Sequence, residues 1–217
     1  MRLTLDRPWL TAEFDAPRRV LSWAVNRPGH VTASAVVWRE VRNADLPPEL
    51  DVETWYTQEL AARDQADAVA MLTSRDIRAY TQAHIQIEDV SVHAVATVGL
   101  SNAERVGQRV DRTGHDWGTI NVGVDISAGL TDAGLIEAMS IATQARTAAV
   151  MSVALGLPGG IATGTGTDCI AVSAPAGDVT YAGLHTNVGE AIGRAVYDAV
   201  SDGAQTWMDK VRRPGVI

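Results

Sequence analysis

DAGLIEAMSIATQARTAAVMSVA, residues 132–154, is the clearest helix in the chain and sets the fold class. At 100° per residue, Leu135, Met139, Ala142, Ala149 and Val153 share one stripe. Glu137, Ser140, Thr143, Gln144 and Thr147 fall on the opposite arc. The many alanines imply close approach to a sheet. A second long helix is expected over 187–210. The N-terminal part reads differently. PWLTAEF, RVLSWAV and ASAVVWREV are rich in β-branched and aromatic residues and are split by turn formers such as NRPGH. Residues 43–51 read as a loop and 53–64 as a short helix. Strands are expected at 68–73, 80–87, 90–100, 119–126 and 169–174. Strands first and two helices later predict a single α+β domain over 1–217. In it a mixed sheet packs against the two long helices of the C-terminal half.

Composition narrows the function classes. The chain has 217 residues, 46% hydrophobic and 20% charged, as expected of a soluble globular protein. A net charge of −8 argues against nucleic acid as a partner. The first ten residues lack a signal-peptide core, and no apolar run is long enough to span a bilayer. The one cysteine, Cys169, allows no internal disulfide, which fits a cytoplasmic location. It opens a strand without a base nearby in sequence and reads as a core residue.

Arg146 breaks the helical pattern, because it lies inside the apolar stripe. An unpartnered buried guanidinium is costly. Arg146 therefore snorkels outward, meets an acid such as Asp168, or contacts a ligand.

ATGTGTDCIAV (162–172) is the densest polar motif. Gly164 and Gly166 alternate with Thr163, Thr165 and Thr167, and Asp168 precedes an apolar strand. No Lys-Ser/Thr pair follows, so it is not a Walker A loop. A strand rather than a helix follows, so it is not a dinucleotide fingerprint. What remains is a tight loop able to bind phosphate, form an oxyanion hole or orient a nucleophile. A turn whose threonines cap its own backbone explains it equally.

In YAGLHTNVGEAIGRAV (181–196), Asn187 has N-cap character and Glu190 a capping-box spacing. His185 then precedes a helix N-terminus, where the neutral imidazole is favoured and a general base becomes feasible. Spacing alone favours a plain loop and cap role for both residues. His30, His84, His93 and His115 show no metal-ligand spacing.

Five stretches in order resemble the adenosylcobinamide amidohydrolase family. They are VGLSNAERVG (98–107), GTINV (118–122), EAMSIATQARTAAV (137–150), ATGTGTDCIAV (162–172) and YAGLHTNVGEAIGRAV (181–196). The resemblance implies hydrolysis of the amide that joins an aminopropanol arm to the corrin side chain. Adenosylcobinamide, or a complete cobamide, would yield adenosylcobyric acid in corrinoid salvage. It implies no protein-bound metal and no cofactor, the cobalt belonging to the substrate. Gln144 and Arg146 stand where the family motif has an acid and a lysine, and Leu184 where it has a glycine. On this basis His185 is expected to face the loop across the amide, as base on water or on Thr167. Asp168 would orient it or hold Arg146. Gly164 and Gly166 would offer amides to the oxyanion. Asn102, Asn121, Arg146, Thr163, Thr165 and Glu190 would contact substrate. A homodimer is compatible with the Ala-rich helix and six tryptophans. Two alternatives stay open at this level: a non-catalytic corrinoid-binding protein, and a phosphate-binding transferase.

Overall fold

The computed structural model describes residues 1–111 and 118–212. His115 and most of the polar loop expected at 109–117 lie outside them. The strands are β1 Arg2–Asp6, β2 Trp9–Ser22, β3 Gly29–Glu40, β4 Val69–Thr73, β5 Thr81–Ile87, β6 Val90–Val98, β7 Ala103–Glu104 and β8 Ile120–Ile126, followed by β9 Gly156–Leu157, β10 Gly160–Ile161, β11 Gly164–Thr165 and β12 Cys169–Ala174. The helices are α1 Val52–Ala61, α2 Asp132–Ser152 and α3 Asn187–Lys210. The α+β expectation holds, with both long helices where the sequence placed them.

One eight-stranded sheet runs β4-β3-β2-β12-β8-β6-β5, with β1 added antiparallel to β2. It is mixed: β12 is parallel to β8 and antiparallel to β2. The two strands read in PWLTAEF and RVLSWAV are one, because β2 runs unbroken through a register shift between Glu13 and Arg18. Helix α2 is the crossover between parallel β8 and β12, so it runs back along the sheet. With α3 it covers the face carrying Val122, Val124, Ile170 and Val172. The alanines at 138, 142, 145 and 149 are buried there and allow the close approach that their number implied. Helix α1 packs Tyr56 and Leu60 on Trp9, Val37 and Ala70.

The other face closes on itself. Trp38 of β3 packs with Val95 of β6 and with Cys169 and Ala171 of β12. Its ring tip lies against Gly123 of β8, three strands away in the sheet order. Asn121 of β8 donates its side-chain N–H to the Leu72 carbonyl of β4 at 2.6 Å. The sheet is therefore rolled, and β4 and β8 meet across its concave side. Among the described residues no helix is long and apolar enough to cross a membrane.

Candidate functional site

The 163–168 loop closes the end of the rolled sheet where β12 begins. The short strand β11 pairs with β7, which brings Gly164 opposite Glu104 and Thr165 opposite Ala103. The Thr163 N–H donates to the Glu104 carbonyl at 2.9 Å. Two stretches some sixty residues apart in sequence are thus stitched into one rim.

Asp168 is the centre of that rim. Its Oδ2 pairs with Arg146 Nη1 at 2.7 Å and accepts the Thr165 N–H at 3.0 Å. Its Oδ1 accepts the Ile120 N–H at 3.1 Å and the Thr165 hydroxyl in a short contact. Arg146 also donates to the Thr163 carbonyl at 3.0 Å. Only 13% of the Arg146 side chain and 7% of the Asp168 side chain are exposed, so solvent screens the pair little. Burial pushes the Asp168 carboxyl above its usual range, while Arg146 and the Thr165 and Ile120 hydrogen bonds pull it back. A Cβ at position 164 would lie 2.1 Å from Arg146 Nη1 and 2.6 Å from Asp168 Oδ2. Gly164 is therefore what lets the ion pair dock under the loop. Of the openings left for Arg146 by the sequence, the acid is the one realised.

The threonines divide the work. Thr165, not Thr167, sits on the Asp168 carboxylate. Thr167 donates to the Gly118 carbonyl at 2.9 Å and accepts a long contact of 3.5 Å from Asn102 Nδ2. Thr163 accepts the Val106 N–H at 2.7 Å, a structural bond. Asn121 is buried, and its Oδ1 accepts the Thr119 hydroxyl at 3.0 Å, so its amide ties strands together. Asn102 Oδ1 and Arg146 Nε are buried without a hydrogen-bond partner among the described residues. Each costs free energy until a donor or acceptor reaches it.

His185 and Glu190 are not at this site. His185 is exposed in the turn before α3. The start of α3 is tied to the far end of the sheet: Asn187 Nδ2 donates to Glu88 at 2.8 Å, and the Ala182 N–H donates to Glu137 at 2.6 Å. Glu88 lies beyond the Ile126 end of β8, whereas Asp168 bonds to Ile120 at its start. Six residues of strand separate them by about 20 Å. The expectation that His185 faces the loop is corrected by topology: α3 follows the C-terminal end of β12, and the loop precedes its N-terminal end. Nor is Asn187 the N-cap. Thr186 is, its hydroxyl accepting the Gly189 N–H at 2.9 Å, and Glu190 pairs with Arg194 instead of closing a capping box. Gln144 donates along its own helix to the Ser140 hydroxyl at 3.2 Å.

Two cavities flank the loop, and Trp23 and Asp168 border both. One, of about 590 Å³, is a polar groove with Glu104, Arg105, Gln108 and Arg109. The other, of about 610 Å³, is an apolar cleft with Val25, Val41, Leu46, Met71 and Leu72 above Thr119 and Asn121. Glu104 lies close to the loop apex, 3.7 Å from where a Gly166 Cβ would point. Reading the sequence missed Glu104, although it stands in VGLSNAERVG; only the β7–β11 pairing brings it to the loop. It missed Trp23 because nothing in sequence links it to Asp168. Cys169 is buried, and its thiol is pushed up to about 11, mainly by burial, which keeps it protonated near neutral pH. Among the described residues no group of three or more His, Cys, Asp or Glu is arranged to hold a metal ion.

The chain is similar in structure to a β-aminopeptidase from Burkholderia sp. (13% identity, TM-score 0.45), covering 90% of this chain and 78% of that one. It is also similar to the PH0078 protein from Pyrococcus horikoshii OT3 (10% identity, TM-score 0.46), covering 90% and 76%. A third likeness is to the L-aminopeptidase D-Ala-esterase/amidase from Ochrobactrum anthropi (13% identity, TM-score 0.43), again covering 90% and 76%. No curated protein matches the chain. The profile of the adenosylcobinamide amidohydrolase family, CbiZ, matches residues 1–212, including the first ninety residues that the motif resemblance left uncovered. The chain therefore belongs to the adenosylcobinamide amidohydrolase family and is an enzyme that hydrolyses amides.

Proposed function

We propose that the enzyme cleaves the amide between the aminopropanol arm and the corrin side chain of adenosylcobinamide, releasing adenosylcobyric acid. The observation that carries the site assignment is the Thr165 hydroxyl held on a buried carboxylate between two cavities. A hydroxyl becomes a usable nucleophile when an adjacent base takes its proton. Asp168, raised by burial, is a stronger base than an exposed aspartate. Thr165 Oγ attacks the amide carbon as its proton passes to Asp168. The tetrahedral oxyanion is met by loop amides around Gly166. The C–N bond breaks as Asp168 returns the proton to the departing nitrogen. The Glu104 carboxylate borders the groove where the amine, cationic once released, departs. Water activated by Asp168 then cleaves the Thr165 ester and restores the enzyme.

The test is mass spectrometry of the purified protein incubated with adenosylcobinamide, with and without EDTA. Adenosylcobyric acid is expected in both. Thr165→Ala should lower kcat by about two to four orders of magnitude, and Thr165→Ser should retain turnover. A corrinoid acyl adduct on the Thr165 peptide, caught by acid quench, identifies the nucleophile. Full activity in Thr165→Ala sinks this mechanism, and activity lost in EDTA and restored by a metal sinks its metal independence.

A further inference from the structure

Given the corrinoid reading above, on which the assignment rests, we propose that Trp23 is the platform for the corrin ring. The apolar part of the ring-recognition surface then comes from the first half of the chain and the reacting groups from the second. Trp23 directly follows β2 and is 47% exposed, unusual for so large an apolar side chain. It is not loose: its indole N–H donates to the Asp168 carbonyl at 2.7 Å. A ring pinned at its polar edge keeps its orientation and loses little entropy when a ligand stacks on it. Trp23 lines the apolar cleft beside the half-exposed Val25, with Leu46 and Pro48 also in that lining. These apolar groups lie directly against the loop that carries Thr165 and Asp168. A conjugated macrocycle with a ring of amide side chains suits such a cleft, apolar in its walls and polar at Ser74, Thr119 and Asn121. The polar groove across Trp23 then receives the departing arm.

The platform is separable from the tether, because phenylalanine keeps an aromatic face and lacks the N–H. The probe is adenosylcobyric acid, which has the ring and lacks the arm, its affinity measured by equilibrium dialysis and corrin absorbance. Trp23→Ala should weaken binding about tenfold or more, while Trp23→Phe stays within about threefold of the parent. In turnover of adenosylcobinamide, Trp23→Ala should raise KM, and the lost tether in both variants should appear in kcat. Leu46→Glu, a charge in the same cleft, should weaken cobyric acid binding by a similar factor. Equal affinity losses in Trp23→Phe and Trp23→Ala assign Trp23 to the tether and overturn the platform. Unchanged affinity in Trp23→Ala, with the parent still hydrolysing, overturns the platform alone. A parent protein that neither binds cobyric acid nor hydrolyses adenosylcobinamide overturns the corrinoid reading and the platform with it.

Discussion

At the scale of single residues, the protonation of Asp168 governs two opposite demands. Its folded-state pKa lies above the ordinary carboxylate value because burial disfavours charge. Protonation of Asp168 therefore adds an increment of stability to the fold. That contribution is present below the unfolded pKa and is lost as pH rises through the raised value. The proposed mechanism needs the ionised form, so kcat/KM should fall on acidification with a limb above the usual carboxylate range. Arg146 pulls the pKa down, so Arg146→Gln should move that limb to higher pH, as a pH–rate profile would reveal. An unmoved limb would mean that a group other than Asp168 titrates in catalysis. The same variant leaves a buried carboxylate unpaired and should cost about 3–5 kcal/mol in urea unfolding. His185 offers the complementary case. Exposed and at the other end of the sheet, it should tolerate His185→Ala with less than about a threefold change in turnover. A hundredfold loss with folding intact would return it to the chemistry.

Elements were legible where periodicity was strong. The bounds of α3 match the stretch read from sequence, and α2 differs from its reading by two residues at one end. Caps were less legible, since Thr186 and Asn187 are both good N-cap types standing side by side. The structure chooses Thr186, because Asn187 is drawn to Glu88 and Gly189 packs against the Gly183 carbonyl. Thr186→Ala should therefore cost about 1 kcal/mol of stability in urea unfolding. Asn187→Ala should cost less, and the reverse order would reinstate Asn187 as the cap. The break inside β2 was misread for a related reason. Polar residues near a bulge look like a turn, yet the pairing with β3 resumes beyond it.

At the scale of the whole molecule, the roll of the sheet makes the site. Trp38 is fully buried, touches Gly123 across the roll and donates to the Asn121 carbonyl at 3.3 Å. Trp38→Ala should cost about 3–5 kcal/mol and loosen the wall of the apolar cleft, raising KM for the proposed substrate. A urea midpoint within about 1 kcal/mol of the parent would show that the roll does not depend on this ring. Sequence by itself determined the α+β class, the two long helices and the burial of Cys169. These follow from local periodicity and composition, written within a few residues. The partner of Arg146 was only one opening among three. Tertiary structure alone decided that Thr165 rather than Thr167 meets Asp168, that Glu104 and Trp23 join the loop, and that His185 does not. Those choices depend on strand order, on the direction of the β8–α2–β12 crossover and on the curvature of the sheet. Each is set by the packing of residues far apart in the chain, which local spacing does not encode.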